Sequence, residues 1–171
     1  QNGIAPWIFD IYTNRKKVLF GEAYWSISPI AQKKKFANTK VLIGFENDVE
    51  YFGFPQNFLI SSTLAVPKEV NKIENIIAFK YVTLLFLLRS KNLAFISIWN
   101  PTFLTLLLEP LLDWSDSLIK DINEGTLNTP VKFNPTLKRK LIQKMTRDEK
   151  RAKELKKIFN KQKDKSINKS E

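Results

Sequence analysis

The segment from Asn75 to Arg89 constrains the fold more than any other part of this chain. Ile76, Ile77, Phe79, Tyr81, Val82, Leu84, Leu85, Phe86, Leu87 and Leu88 surround nearly the whole circumference of a helix. Such a helix must be buried on more than one side. It therefore needs partners, and the sequence after it supplies them. Ser90-Lys91-Asn92 reads as a turn, and Leu93 to Trp99 (LAFISIW) as a buried strand rich in β formers. Asn100-Pro101 then marks a helix start, because Asn caps the first turn and Pro suits the first helical position. A helix–strand–helix run around a buried strand points to an α/β layer. Pro110 should kink or end the second helix, and Trp114 to Glu124 reads as an amphipathic helix stopped at Gly125.

The flanks are less regular. Ile4, Trp7, Ile8 and Ile11 recur at helical spacing over 4–12, as if the chain begins inside an element, and a fragment of a longer protein is expected. Val18-Leu19-Phe20 reads as a short strand running towards Trp25. Residues 26–38, with Pro29 and Lys33-Lys34-Lys35, read as a surface loop. Val41 to Phe45 is a second strand candidate with Gly44 marking a bulge or close approach. Residues 57–65 read as a helix, and Val66-Pro67 as a turn.

Charge divides the chain. Residues 1–131 hold 13 Lys and Arg against 12 Asp and Glu, whereas residues 132–171 hold 15 against 5. The net charge of +11 is thus a property of the last forty residues. Their organisation is expected to be an α/β core over 1–131, basic amphipathic helices over 132–160 and a disordered Lys-rich tail over 161–171. The helices carry Leu137, Leu141, Ile142 and Met145, then Ala152, Leu155, Ile158 and Phe159 on their apolar faces.

Absences exclude much familiar chemistry. The chain contains neither cysteine nor histidine, so disulfides, thiolate nucleophiles and imidazole-based acids, bases or metal ligands are not available from it. Its 5 Gly are too dispersed to build a phosphate-cradling loop. Glu46, Asp48 and Glu50 alternate along one face of an extended segment, which reads as a solvated acidic edge, not a cation loop. The longest apolar run is about five residues against the ~20 of a membrane span, so a membrane protein is not expected and a cytoplasmic one is.

Four strings carry a resemblance: GEAYWSISP (21–29), IGFENDVEYFG (43–53), YVTLLFLLRSKNLAFISIWNPTFLTLLLEPL (81–111) and WSDSLIKDINEGT (114–126). Together they resemble the Gretchen-Hagen-three family of acyl-acid amido synthetases, in its bacterial branch, over most of residues 1–160. The resemblance implies part of the large N-terminal domain of an adenylate-forming enzyme, α/β in class, with a mixed sheet and packed helices. It implies an enzyme that activates a carboxylic acid with ATP and magnesium and passes the acyl group to an amine such as an amino acid. The family's Ser/Thr/Gly-rich phosphate loop and its Tyr-Arg-x-Gly-Asp element have no counterpart in 1–171, so ATP and magnesium are expected on the parent protein and this chain alone is expected to be inactive.

By the same resemblance, Trp7, Trp25, Phe45, Trp99, Asn100 and Phe103 are candidates for an acyl pocket, with no catalytic or metal residue. Trp7 falls near where some plant members place an arginine for the substrate carboxylate, so an aryl or auxin-type acid is not expected. Each candidate also has a packing reading: large aromatics usually serve the core, and Asn100 serves as a helix cap. The expected partners are the acid and amino-acid substrates and the rest of the same polypeptide. The alternative is a non-catalytic interaction protein, or a non-specific nucleic-acid binder using the basic helices. The tail helices hold Phe159 as their one aromatic, which offers no stacking platform, so nucleic acid is the lesser expectation.

Overall fold

A computed structural model describes residues 4–25, 35–36, 42–43, 64–98 and 100–167. Helices α1 (Ile4–Asn14) and α2 (Lys16–Leu19) lead into β1 (Glu22–Trp25), and β2 (Lys35–Phe36) pairs antiparallel with β3 (Leu42–Ile43). A 3₁₀ turn (Lys68–Lys72) precedes α3 (Ile76–Arg89), β4 (Leu93–Ser97) and α4 (Pro101–Leu108). After a second 3₁₀ turn (Glu109–Leu111) come α5 (Ser115–Glu124), α6 (Pro135–Ile142) and α7 (Glu149–Ile167). β1 and β4 run parallel, with Trp25 opposite Ser97, and Leu64 adds an isolated parallel bridge to Ala23.

Local signals explain where most helices start and stop. The Asn75 side chain accepts from Ile77 N and Ala78 N, Asn100 from Thr102 N, and Asn134 from Thr136 N and Leu137 N. Each satisfies backbone donors that a first helical turn leaves unpaired. Pro110 lies in the 3₁₀ turn that follows α4, consistent with a ring that cannot continue the helix. Gly125 ends α5 at φ 71°, where a Cβ would lie 2.8 Å from Arg147 N. Glycine is needed there both for the left-handed backbone and for the close approach of the α6–α7 connection.

Several expectations change. The strand expected to be buried over 93–99 is not: in β4 Leu93, Phe95 and Ser97 are half-buried and Ala94 and Ile96 exposed, because β4 belongs to a two-stranded sheet that leaves much of its surface open. Val18 and Leu19 belong to α2 or its last turn, not to a strand, and the strand starts only at Glu22. The reason lies at Gly21: a Cβ there would run into Ala94 Cβ and the carbonyls of Lys17 and Asn92, so the chain turns tightly and packs on β4 before extending. The expected loop over 26–38 contains β2. Of the helix expected over 57–65, Leu64 forms a strand bridge, Ala65 donates to Ala23 O and 57–63 lie outside the described residues. Gly44 and Phe45 of the second strand candidate lie outside them as well. Helix α7 continues to Ile167, beyond residue 161 where composition predicts disorder; residues 168–171 are outside the described set.

One apolar cluster spans the described elements from Tyr24 to Phe159. From Ala78 to Phe86 every α3 residue but Lys80 is buried, as its all-round apolar character requires. The basic segment is part of this cluster. Leu137, Leu141, Met145, Ala152, Leu155 and Phe159 are buried in it, and α7 packs along α5. Burying such side chains contributes about 1.5–3 kcal/mol each for the larger ones, far above the value of any exposed lysine contact.

Candidate functional site

The parallel pair β1–β4 gives the sheet a carboxyl end, which in open α/β sheets is the end where ligands bind. Trp25 closes β1 there, half-buried, with its ring 6.0 Å from that of Phe95 and tilted by 45°. Opposite it, Ser97 is followed by Asn100 and the start of α4, so the strand register brings Trp25 and Asn100 to the same end of the sheet. Asn100 is exposed and its side-chain oxygen caps α4 at 2.9 Å from Thr102 N. Phe103, one turn into α4, is 56% exposed, and Leu106, three residues on, is also exposed; Ile96 is exposed on the sheet face opposite Trp25 and Phe95. This end therefore carries the half-buried Trp25, the exposed amide of Asn100 and exposed apolar side chains on α4.

The remaining candidates cannot be joined to that group. Trp7 lies on α1, on the opposite side of the α2 turn in sequence, and only its backbone is described. Phe45 and Trp99 lie outside the described residues.

Sequence reasoning gave no role to Asp121, although it sits inside the string 114–126. It is 1% exposed and its carboxylate accepts four hydrogen bonds. Tyr81 Oη donates to Oδ2 at 2.8 Å and Asn128 N to the same oxygen at 2.8 Å. Thr126 Oγ1 donates to Oδ1 at 2.6 Å and Asn128 Nδ2 at 2.7 Å. Burial, then the hydrogen bond to Asp121, pushes the Tyr81 hydroxyl pKa well up. The Tyr81 ring also packs 5.6 Å from Trp114. A buried carboxyl so placed is satisfied by neutral donors and links α3, α5 and the loop after Gly125. The spacing of Asp121 before Gly125-Thr126 was the available signal, since a side chain there can reach the loop that the glycine turns back.

A second polar assembly fastens the α6–α7 connection to the end of α3. Arg89 Nη1 donates to Lys144 O at 3.0 Å and Nη2 to Thr146 Oγ1 at 2.9 Å, while its guanidinium lies 5.8 Å from the Phe86 ring centre. Arg151 Nε donates to Leu88 O at 2.7 Å and Nη2 to Ser90 O at 3.1 Å. Two cations thus meet the carbonyl end of α3, where the helix dipole favours positive charge. Lys91 pairs with Asp148 at 2.6 Å and Lys144 with Glu69 at 3.1 Å. Every ion pair among the described residues involves a member of 144–163. Between these groups runs a cleft of about 480 Å³ lined by Glu22, Glu69, Arg89, Ser90, Lys144 and Asp148 among others. Its acidic and basic side chains largely answer one another.

The hydrogen bond from Lys91, then that from Arg151 N, holds Asp148 below the usual carboxylate range. A lowered folded-state pKa contributes stability that is complete above the unfolded value of about 3.9 and is lost as pH falls through the folded one. Asp148→Asn should therefore flatten the acid limb of the stability curve below about pH 4 relative to the parent protein. Urea midpoints compared between pH 3 and pH 6 test this; an unchanged acid limb would remove Asp148 as its source.

Among the described residues no group of three or more acidic side chains gathers as a metal site, and no helix is long and apolar enough to cross a membrane.

Comparison with known proteins gives one informative result. No curated protein matches the chain. Residues 24–170, however, match the GH3 family N-terminal domain, and the mixed α/β architecture with its parallel strand pair fits the adenylate-forming fold of that domain. The chain therefore belongs to the GH3 (Gretchen-Hagen-three) family, through that family's N-terminal domain.

Proposed function

We propose that this chain is the acyl-binding and scaffold portion of an ATP-dependent acyl-acid amido synthetase. The family match over residues 24–170 carries the reading. The reaction would be carboxylate adenylation followed by acyl transfer to an amine such as an amino acid. Its bacterial, cytoplasmic setting belongs to the same proposal. Trp25, Asn100 and Phe103 would contribute to the acyl pocket at the carboxyl end of β1 and β4, where aromatic side chains near one amide suit an acyl chain better than a charged head. Trp7, Phe45 and Trp99 are proposed for the same pocket by family resemblance alone. Discrimination by such a surface would amount to about 1–3 kcal/mol per methylene.

ATP and magnesium are assigned to other parts of the parent polypeptide, because the family's nucleotide motifs have no counterpart in the sequence of residues 1–171. No chemical step is assigned to residues 1–171, and this chain alone should not turn over. The test begins with the coding DNA on both sides of the segment. An in-frame Ser/Thr/Gly-rich phosphate loop upstream and a Tyr-Arg-x-Gly-Asp element downstream are expected. The protein encoded by that whole frame should then catalyse ATP–pyrophosphate exchange with one or more carboxylic acids, while residues 1–171 alone should not. Stop codons adjoining both ends, or a complete frame without exchange activity on a broad acid panel, would overturn the reading.

A further inference from the structure

We propose that the outer face of α7 is a docking stripe for the phosphate backbone of duplex nucleic acid, independent of the synthetase reading. Ala152, Leu155 and Phe159 anchor one side of α7 in the core. Lys150, Lys153, Lys157 and Lys161 follow one another at steps of three, four and four residues, all exposed. Those steps keep the four within about 80° of the helix circumference, opposite the anchored seam, along about 16 Å of axis. None of the four takes part in an ion pair with a described residue, whereas Lys91, Lys144, Arg147, Arg151 and Lys163 do. The row thus stands without an ion-pair partner among the described residues, on a docked helix.

The chemistry of the face selects among polyanions. A single strand would need aromatic stacking, and Phe159, the aromatic of this helix, is 7% exposed and committed to the core. An anionic bilayer would need an apolar helix face to insert, and on α7 Ala152, Leu155 and Phe159 are buried, leaving Ile158 as its exposed large apolar side chain among the described residues. What remains is a rigid row of charge facing a rigid row of charge. Duplex nucleic acid carries one phosphate per about 3.4 Å along each strand, so the stripe spans several of them. Lysine contacts of this kind release counterions and read no sequence.

Fluorescence anisotropy of the 171-residue protein with a labelled mixed-sequence duplex of about 20 base pairs tests this. Four phosphate contacts predict a log–log salt slope of about −3.6, which is about a 100-fold loss of affinity between ~50 and ~200 mM salt. The K153Q/K157Q variant should cut the slope to about −1.8 and that loss to about 10-fold. A K72Q/K120Q variant, which removes two exposed lysines elsewhere, should leave the slope near the parent value. Three results would overturn the proposal: equal effects of the two double variants, no duplex binding at ~50 mM salt, or tighter binding to the single strand or to anionic phospholipid vesicles than to the duplex. The substitutions sit on exposed helix positions, so thermal midpoints should confirm unchanged folding.

Discussion

Replacing Asp121 with alanine should destabilise the protein by about 3–5 kcal/mol, enough to consume much of the stability of an ordinary domain. The variant would strand the Tyr81 hydroxyl in the interior and free Thr126 and both the backbone N–H and the side-chain amide of Asn128 from their shared acceptor. Each buried donor left without a partner costs about 1–3 kcal/mol, and the lost α3–α5 tie adds to that. Tyr81→Phe should cost only about 1 kcal/mol, because Asp121 keeps three donors when the hydroxyl goes. The same pair governs the alkaline limb. The raised Tyr81 pKa means its contribution is complete below the unfolded value of about 10 and is lost as pH rises through the folded one. Urea unfolding of both variants gives the answer, and a loss under about 1 kcal/mol for Asp121→Ala would show that the network does not hold the elements together.

Leu141→Ala and Leu155→Ala should each lower stability by about 2–5 kcal/mol, although both lie in the most basic stretch of the chain. Leu141 is fully buried and Leu155 is 3% exposed, in the same cluster as Leu85 and Leu118. Truncating either removes transfer free energy and leaves a cavity that close-packed neighbours only partly fill. A solvated appendage would instead tolerate both changes within about 0.5 kcal/mol. The contrast is large enough for thermal midpoints alone to separate the two outcomes. Loss of less than about 1 kcal/mol in both variants would place the basic helices outside the cooperative unit.

These two cases also mark how far the sequence could be read. The amphipathic spacing of Leu137, Leu141 and Met145, and of Ala152, Leu155 and Phe159, was legible, because helical periodicity is written in neighbours three and four apart, whereas Ile142 and Ile158, placed on the same faces, stay exposed at their edges. That this seam docks on α5 was not, since a lysine-rich helix has the same periodicity whether its partner is water-exposed or core. The strand expected at Val18-Leu19-Phe20 failed for a related reason. Its three apolar residues suit a short helix or a strand equally, and the close packing of Gly21 on Ala94 decided the matter. In the candidate site, Asn100 as a cap and the strand before it could be read locally. Its proximity to Trp25 follows from a parallel register that joins residues more than seventy positions apart.

By itself the sequence determined the capped helix start at Asn100, the stop at Gly125, the buried character of α3, and the family. Each of these depends on chemistry within a turn or two of chain, or on long strings in one order. Only the tertiary structure decided that the Tyr81 hydroxyl would donate to Asp121, that Arg89 would hold the α6–α7 connection and Arg151 the last carbonyls of α3, and that the basic helices would complete the core. Those choices pair groups 40 or more residues apart, and it is packing, satisfying buried donors and charges together, that selects such partners.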